Sequence, residues 1–362
     1  MSGERVPLRL RARRWRCRAV RDGRRALGLA RTVYVDQRVD EYRGYWEGAA
    51  RLLGAEFSEL APGIWQVRLG GRATRVAGHV VAADDPVTLR VAGDKPLCHA
   101  LAARVGLRVP EHHLFHLADL ERVRALVRAS PGPWVIKPAR GSASAQGVTT
   151  GIDAPERVED AAVLASLFGP DLMLERMIPG ESCRLLYLDG RLLHAVRRRG
   201  ARVTGDGRAT VSALAARAGL AAVLASPGAA MDLHAQGLTH AYIPAAGETV
   251  LLRGVPPGRG TERELRTIYD ETVTAQVHPS TARAAGNVVR LAGSRFAGVD
   301  IVTPDVTRPL EACGGAFIEL NTTPGIHHHY QTGHDRAEHP VAVAVLRALL
   351  HPPPPPEPND LA

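Results

Sequence analysis

Apolar residues recur at helical spacing over Tyr42, Tyr45, Trp46, Ala49, Ala50 and Leu53, which predicts a helix with one face in a core. The chain opens differently. Leu8-Arg9-Leu10-Arg11-Ala12-Arg13 alternates residue by residue, and a period of two predicts a strand with one wet face. Val33 and Val35 suggest a short strand, and Gly70-Gly71 a hairpin turn. Helices are expected over 95–105, 117–129 and 281–292, and through most of the Ala-rich stretch 207–235. Gly106 to Pro110 turns into an extended segment, and strands are expected at 134–137, 147–150 and 172–175. A hairpin follows, 184–188 and 191–196 about Asp189-Gly190, and the apolar strands 296–302 and 316–320 complete the pattern. Residues 1–90 read as a small α/β lead-in, and the prolines from Pro352 to Pro356 as an extended, disordered tail over 351–362.

At 362 residues and 45% hydrophobic, the chain can bury a large core divided among two or three subdomains. Aromatics make up only 4%, so aliphatic side chains must do the packing. Cys17, Cys98, Cys183 and Cys313 lie far apart with no CxxC pair, which argues against zinc clusters and a disulfide framework. No apolar run reaches membrane-spanning length and no apolar signal core opens the chain, so a cytoplasmic protein is expected. The formal charge of +9 and the arginines crowded into the first twenty residues leave two readings, a solvated face or a patch for an anionic partner. Nucleic acid is the disfavoured partner: no known module is recognisable, and Trp15 alone does not supply the aromatics that single strands need.

Charge composition brings in chemistry. Of 46 basic side chains only Lys95 and Lys137 are lysine. Chance survival is one explanation; the other is that a compact ammonium is needed where a planar fork will not serve, as beside a phosphate. Just after Lys137, Arg140-Gly141-Ser142-Ala143-Ser144-Ala145-Gln146-Gly147 joins two strands. Its small side chains would let backbone N–H groups close around phosphate oxygens, although a plain surface turn reads the same way and neither a Walker A loop nor a GxGxxG fingerprint is present. The strand that ends in Glu175, followed by Met177 and Ile178, could line an adenine slot, with Glu181 on the ribose hydroxyls; the alternative is a strand end with solvated acids.

Asp300 is the one carboxylate in its apolar strand, while Glu319 and Asn321 share a strand face and Ile318 and Leu320 take the core side. Adjacent strands would bring three oxygen ligands together, which suits Mg²⁺ completed by substrate phosphates; a structural polar network is the alternative. Arg184, Arg198 and Arg253 each sit in or beside a β-like segment, where a guanidinium can meet phosphate or carboxylate. In His327-His328-His329 the rings cannot all face one point, so a single substrate contact, His329, is expected.

In order, Lys95, Lys137 with its loop, Glu175 to Glu181, Asp300 and Glu319-x-Asn321 resemble the ATP-grasp superfamily, and within it the ATP-grasp portion of cyanophycin synthetase. The likeness extends to Gly106-Leu107-Arg108-Val109-Pro110, Val203-Thr204-Gly205-Asp206-Gly207 and Pro324-Gly325, and covers about residues 91–330. It implies an α/β (α+β) fold whose lid and central subdomain (91–178) and C-terminal subdomain (179–350) clamp ATP. By the resemblance, Lys95 and Lys137 hold phosphates under the Gly141, Ser142, Ala143 and Gly147 loop. Glu175, Met177 and Ile178 border the adenine and Glu181 holds the ribose. Asp300, Glu319 and Asn321 bind two Mg²⁺, for which Mn²⁺ can substitute. Arg198 with Lys137 serves the transferred phosphoryl group, and Arg184, Arg253 and His329 meet the substrate. Cyanophycin synthetase also carries a Mur-ligase-like domain, which is not found in these residues, so a stand-alone ligase that joins an amino acid or peptide carboxylate to an amine is expected, with a small-molecule kinase as the rival. Dimers are common on this fold, and a homodimer is an expectation of the same kind.

Overall fold

The computed structural model describes residues 6–26, 39–142, 146–198, 200–225, 229–230, 233–234, 236–253, 270–330 and 341–351. The first third runs α1 (Leu8–Ala26), α2 (Val39–Leu52), the meander β1 (Glu56–Ala61), β2 (Ile64–Leu69), β3 (Arg72–Ala77) and β4 (Val80–Val81), then α3 (Pro86–Ala92) and α4 (Lys95–Arg104). The middle holds β5 (His112–Phe115), α5 (Leu120–Ala129), β6 (Trp134–Pro138), β7 (Thr149–Ile152), α6 (Val158–Ala165) and β8 (Leu172–Arg176). The hairpin β9 (Glu181–Leu188) and β10 (Arg191–Arg198) follows, then β11 (Ala201–Thr204), α7 (Val211–Arg217), α8 (Ala221–Leu224), β12 (Thr249–Arg253) and β13 (Asp270–Thr272). The last elements are α9 (Pro279–Leu291), β14 (Phe296–Thr303), α10 (Leu310–Cys313), β15 (Ala316–Thr322) and α11 (Val341–Leu350).

Two antiparallel sheets carry the expected site residues, one ordered β5-β8-β6-β7 and the other β13-β10-β9-β14-β15. The second is buried on both faces. Cys183, Leu185, Tyr187, Val299 and Ile301 pack on α4 and α9, while Leu186 and Phe296 meet α2, α11 and the β1–β4 meander. α4 starts where it does because the Asp94 side chain accepts from Leu97 N and Pro96 pre-sets the first turn. That places Lys95 at the helix tip. The β9–β10 hairpin turns through Asp189 and Gly190, both at positive φ, as a tight two-residue turn requires.

Several expectations are corrected. Residues 8–13 are not a strand but the start of the nineteen-residue helix α1. Leu10 alone among its described side chains is buried, and Arg9 and Arg13 reach Glu159 on α6, so tertiary contacts and the helix propensity of Arg, Leu and Ala override a short period-two run. β7 begins at Thr149 rather than at residue 147, because Gly147 turns the chain at positive φ. Ile318 is not a core residue: Asp300 pairs with Glu319 but Ile301 pairs with Phe317, so Ile318 is the extra residue of a bulge and Phe317 takes its place in the core. The Ala-rich stretch holds two short described helices, α7 and α8. Val33, Val35 and the proline tail lie outside the described residues.

Candidate active site

Both lysines are buried, which is unusual for this side chain. Lys137 sits mid-strand in β6, its Nζ 2.9 and 2.8 Å from the two carboxylate oxygens of Glu175 on β8. Glu175 is therefore an ion-pair partner, 3% exposed, as well as a strand-end residue. Lys95 donates from its backbone N to Ala139 O at 3.1 Å and from Nζ to Ser142 Oγ at 3.0 Å, so the helix tip is tied to the loop that follows Lys137. Burial lowers its pKa; Lys137 adds to the effect, while Glu319 and Glu175 oppose it. These four groups thus lie within electrostatic reach of one another although they come from four elements.

His99, one turn beyond Lys95, was not singled out from sequence. It is buried, with Nε2 2.9 Å from Ile318 O and 3.6 Å from Glu175 Oε2. A carbonyl only accepts, so Nε2 carries the proton and donates. Burial pushes the His99 pKa down to about 4 despite the Glu175 carboxylate. The ring therefore stands neutral between the two sheets, touching the bulge residue next to Glu319 on one side and the partner of Lys137 on the other. The one sequence signal was a lone histidine four residues after Lys95.

The second cluster lies on β9, β14 and β15. Asp300 is directly opposite Arg184 in one neighbour and Glu319 in the other. Arg184 donates to both oxygens of Asp300, through NH2 at 2.6 Å and through Nε. Arg198 NH2 is 3.9 Å away. Burial alone would raise the Asp300 pKa, but the two guanidiniums outweigh it and hold the carboxyl well below the usual range. Asn321 Nδ2 lies 3.2 Å from Glu319 Oε1 and 3.4 Å from Asp300 Oδ2. Gly298 shares this strand face; a Cβ there would lie 2.8 Å from Arg184 Cδ, so glycine leaves the room in which Arg184 reaches Asp300. Behind the cluster His329 is fully buried, its Nδ1 2.9 Å from His194 Nδ1. Burial first, then His194, Arg184 and Arg198, keep it neutral. His327 points elsewhere, with Nδ1 2.7 Å from Tyr42 Oη and its ring 3.9 Å from that of His328, so His327 and His329 do not meet at one point.

Other expected residues are more scattered. Gly141 N donates to Gly93 O at 3.1 Å, and a Cβ on Gly147 would strike Phe168, so both ends of the small-residue loop are fixed by packing. Ala143 lies outside the described residues. Ile178 is buried and Met177 exposed at the strand end. Glu181 is 3.4 Å from Arg197 and 3.7 Å from Arg202. Arg253 ends β12 opposite Ala201, in the separate β11–β12 sheet, and its side chain is outside the described set. Asp300, Glu319 and Asn321 can offer oxygens to a hard cation such as Mg²⁺, once Asn321 turns its Oδ1 rather than its Nδ2 to the cluster and Asp300 shares its oxygens with Arg184. Among the described residues no three His, Cys, Asp or Glu side chains are grouped to hold a metal ion.

No protein-family model matches the chain. Cyanophycin synthetase of Nostoc sp. is 31% identical over 257 residues, which cover 67% of this chain and 27% of that protein. The D-alanine–D-alanine ligase of Gloeobacter violaceus is 29% identical over 204 residues, 54% of this chain and 65% of that protein. The crystal structure of a bifunctional glutathione synthetase from Pasteurella multocida superposes with a TM-score of 0.56 at 21% identity, covering 90% of this chain and 45% of that one. This chain thus spans about a quarter of the length of the cyanophycin synthetases it matches.

Proposed function

The chain has the ATP-grasp fold and resembles the ATP-grasp portion of cyanophycin synthetase, and from that premise we propose that it is an ATP-dependent carboxylate–amine ligase. The observation that carries the reading is that buried Lys95, on α4, lies within electrostatic reach of buried Lys137, on β6, and of Glu319, in the carboxylate and amide cluster backed by Arg184 and Arg198. Positive and oxygen-donor groups set against each other suit a polyphosphate and its cation.

In this reading Lys95 and Lys137 hold the phosphates, with Glu175 keeping the Lys137 ammonium in place beforehand. Ser142, Gly141, Ala143 and Gly147 close over them. Met177, Ile178 and Glu181 flank the nucleoside. Asp300, Glu319 and Asn321 would hold Mg²⁺, as two ions for which Mn²⁺ would substitute, and the metal would neutralise charge on the phosphates. A substrate carboxylate oxygen attacks the γ-phosphorus and ADP departs with the electron pair of the broken P–O bond. Arg198 and Arg184 orient the anion formed, with Arg253 at the substrate end and His329, buried against His194, backing the arginines rather than touching substrate. The amine then attacks the acyl phosphate carbonyl, and phosphate and a proton leave as the amide forms. Closure over the site excludes water, which would hydrolyse the mixed anhydride. Amino acids or peptides are the substrates, with division at residues 90 and 178, a cytoplasmic setting and a homodimer as parts of the same proposal.

The test is ADP and phosphate release from purified protein with Mg-ATP against pooled amino acids and short peptides, with mass spectrometry of each pool. A product equal to two substrates less water, formed only with ATP, is expected. A stable product heavier by one phosphoryl group would replace ligase with kinase.

A further inference from the structure

α1 holds nine arginines against one aspartate, a formal +8 out of the +9 of the whole chain. The rest of the molecule is close to neutral, so the charge is concentrated in one place. Arg9 and Arg13 turn inward to Glu159 and Asp160 on α6. On the opposite side, at 100° per residue, Leu8, Ala12, Trp15 and Ala19 form an outward stripe with Arg11 and Arg18 on one flank and Arg16 on the other. Trp15 is 69% exposed and Leu8 79%. Arg11 and Arg16 make no ion pair among the described residues.

The position of the helix adds the second observation. Arg21 donates to Leu167 O at 3.0 Å and lies 5.7 Å over the Phe168 ring. Phe168 is the side chain against which Gly147 packs, at the end of the small-residue loop of the active site. α1 therefore shares a residue with that loop.

We propose that the outer face of α1 docks an acidic polypeptide segment and presents it to the neighbouring ligase site. Guanidinium forks pair bidentately with carboxylates, and Arg11, Arg16 and Arg18 offer them over about 10 Å of the outer face, the span of roughly three residues of an extended peptide. Carboxylates are also the group that the proposed ligase activates, and this delivery role rests on that reading. A single-stranded nucleic acid would want several stacking aromatics, and this face has one. A bilayer would want a broad apolar face, and this one offers two large side chains.

The test uses the intact chain without nucleotide. Trp46, Trp65 and Trp134 are fully buried, so Trp15 is the exposed indole and its fluorescence reports this face. Titration with a decaglutamate peptide should give a saturable change that weakens with salt, and the Trp15→Phe protein should lose the signal. A triple variant, Arg11→Ser with Arg16→Ser and Arg18→Ser, should bind the labelled peptide at least about tenfold more weakly by anisotropy while its thermal unfolding is unchanged. Equal binding by the triple variant, or tighter binding of oligothymidylate or phosphatidylserine vesicles than of decaglutamate, overturns the docking. Where the protein ligates an acidic peptide, an unchanged kcat/KM for that peptide in the triple variant overturns the delivery. Peptide binding through α1 without ADP release from any substrate pool would leave the docking standing and remove the ligase reading instead.

Discussion

Lys137 shows what one residue can and cannot announce. Its type and place marked it in the sequence as a phosphate ligand, but its pairing with Glu175, 38 residues away, appears only when β6 and β8 lie side by side. A buried ammonium and carboxylate that satisfy each other make each costly to remove singly. Lys137→Met should lower stability by about 3–5 kcal/mol in urea unfolding, and Lys137→Met with Glu175→Leu should recover most of that. Equal losses in the single and double variants would mean that the pair is not coupled. Asn321 was legible from the i, i+2 spacing with Glu319. Asn321→Ala should shift the Mg²⁺ dependence of ADP release to higher concentration by about tenfold, and an unchanged titration would remove it from the ligand set. His99 was not legible: nothing local distinguishes it from a surface histidine, and its role comes from Ile318 and Glu175, which lie far along the chain.

At the scale of elements, the pattern of apolar positions placed α2, α4, α9 and the strands β8, β9, β10, β14 and β15 nearly correctly, because each buries a face of fixed period, while β11, β12 and β13 were not foreseen. It failed where two periods compete over a few residues. α1 reads as alternation for six residues and as a helix only over nineteen, once its contacts with α6 are counted. The bulge in β15 was equally hidden, since an extra residue such as Ile318 looks no different from its neighbours. β14 yields a sharper test. Gly298→Ala puts a methyl where Arg184 crosses the strand, so Arg184 must shift away from Asp300 or the strand must yield. A stability loss of about 1–3 kcal/mol is expected by thermal unfolding, with a fall in kcat/KM larger than the rise in KM alone accounts for. Wild-type turnover in this variant would mean that Arg184 is not positioned by the glycine.

Over the whole molecule, α4 stands between two sheets and packs mainly on the second, while His99 reaches across to Glu175 of the first. The junction depends on neutral histidine. The ordinary His99 value is 6.5 and the folded value about 4, so between these limits the unfolded chain binds more protons and stability rises with pH. Going down from pH 6.5 to pH 4, about 3 kcal/mol should be lost through this residue, less any compensation by relaxation. His99→Gln should flatten that part of the urea-unfolding profile, and an unchanged slope would show that His99 stays protonated in the fold. What the sequence by itself determined was local and chemical: the period of each buried face, the turn at Asp189-Gly190, and the order of lysines, carboxylates and amide along the chain. What only the tertiary structure decided was which charge meets which. Lys137 with Glu175, and Arg184 with Asp300 across 116 residues, are chosen by strand register. Register is set by packing between segments far apart in sequence, so no local pattern records it.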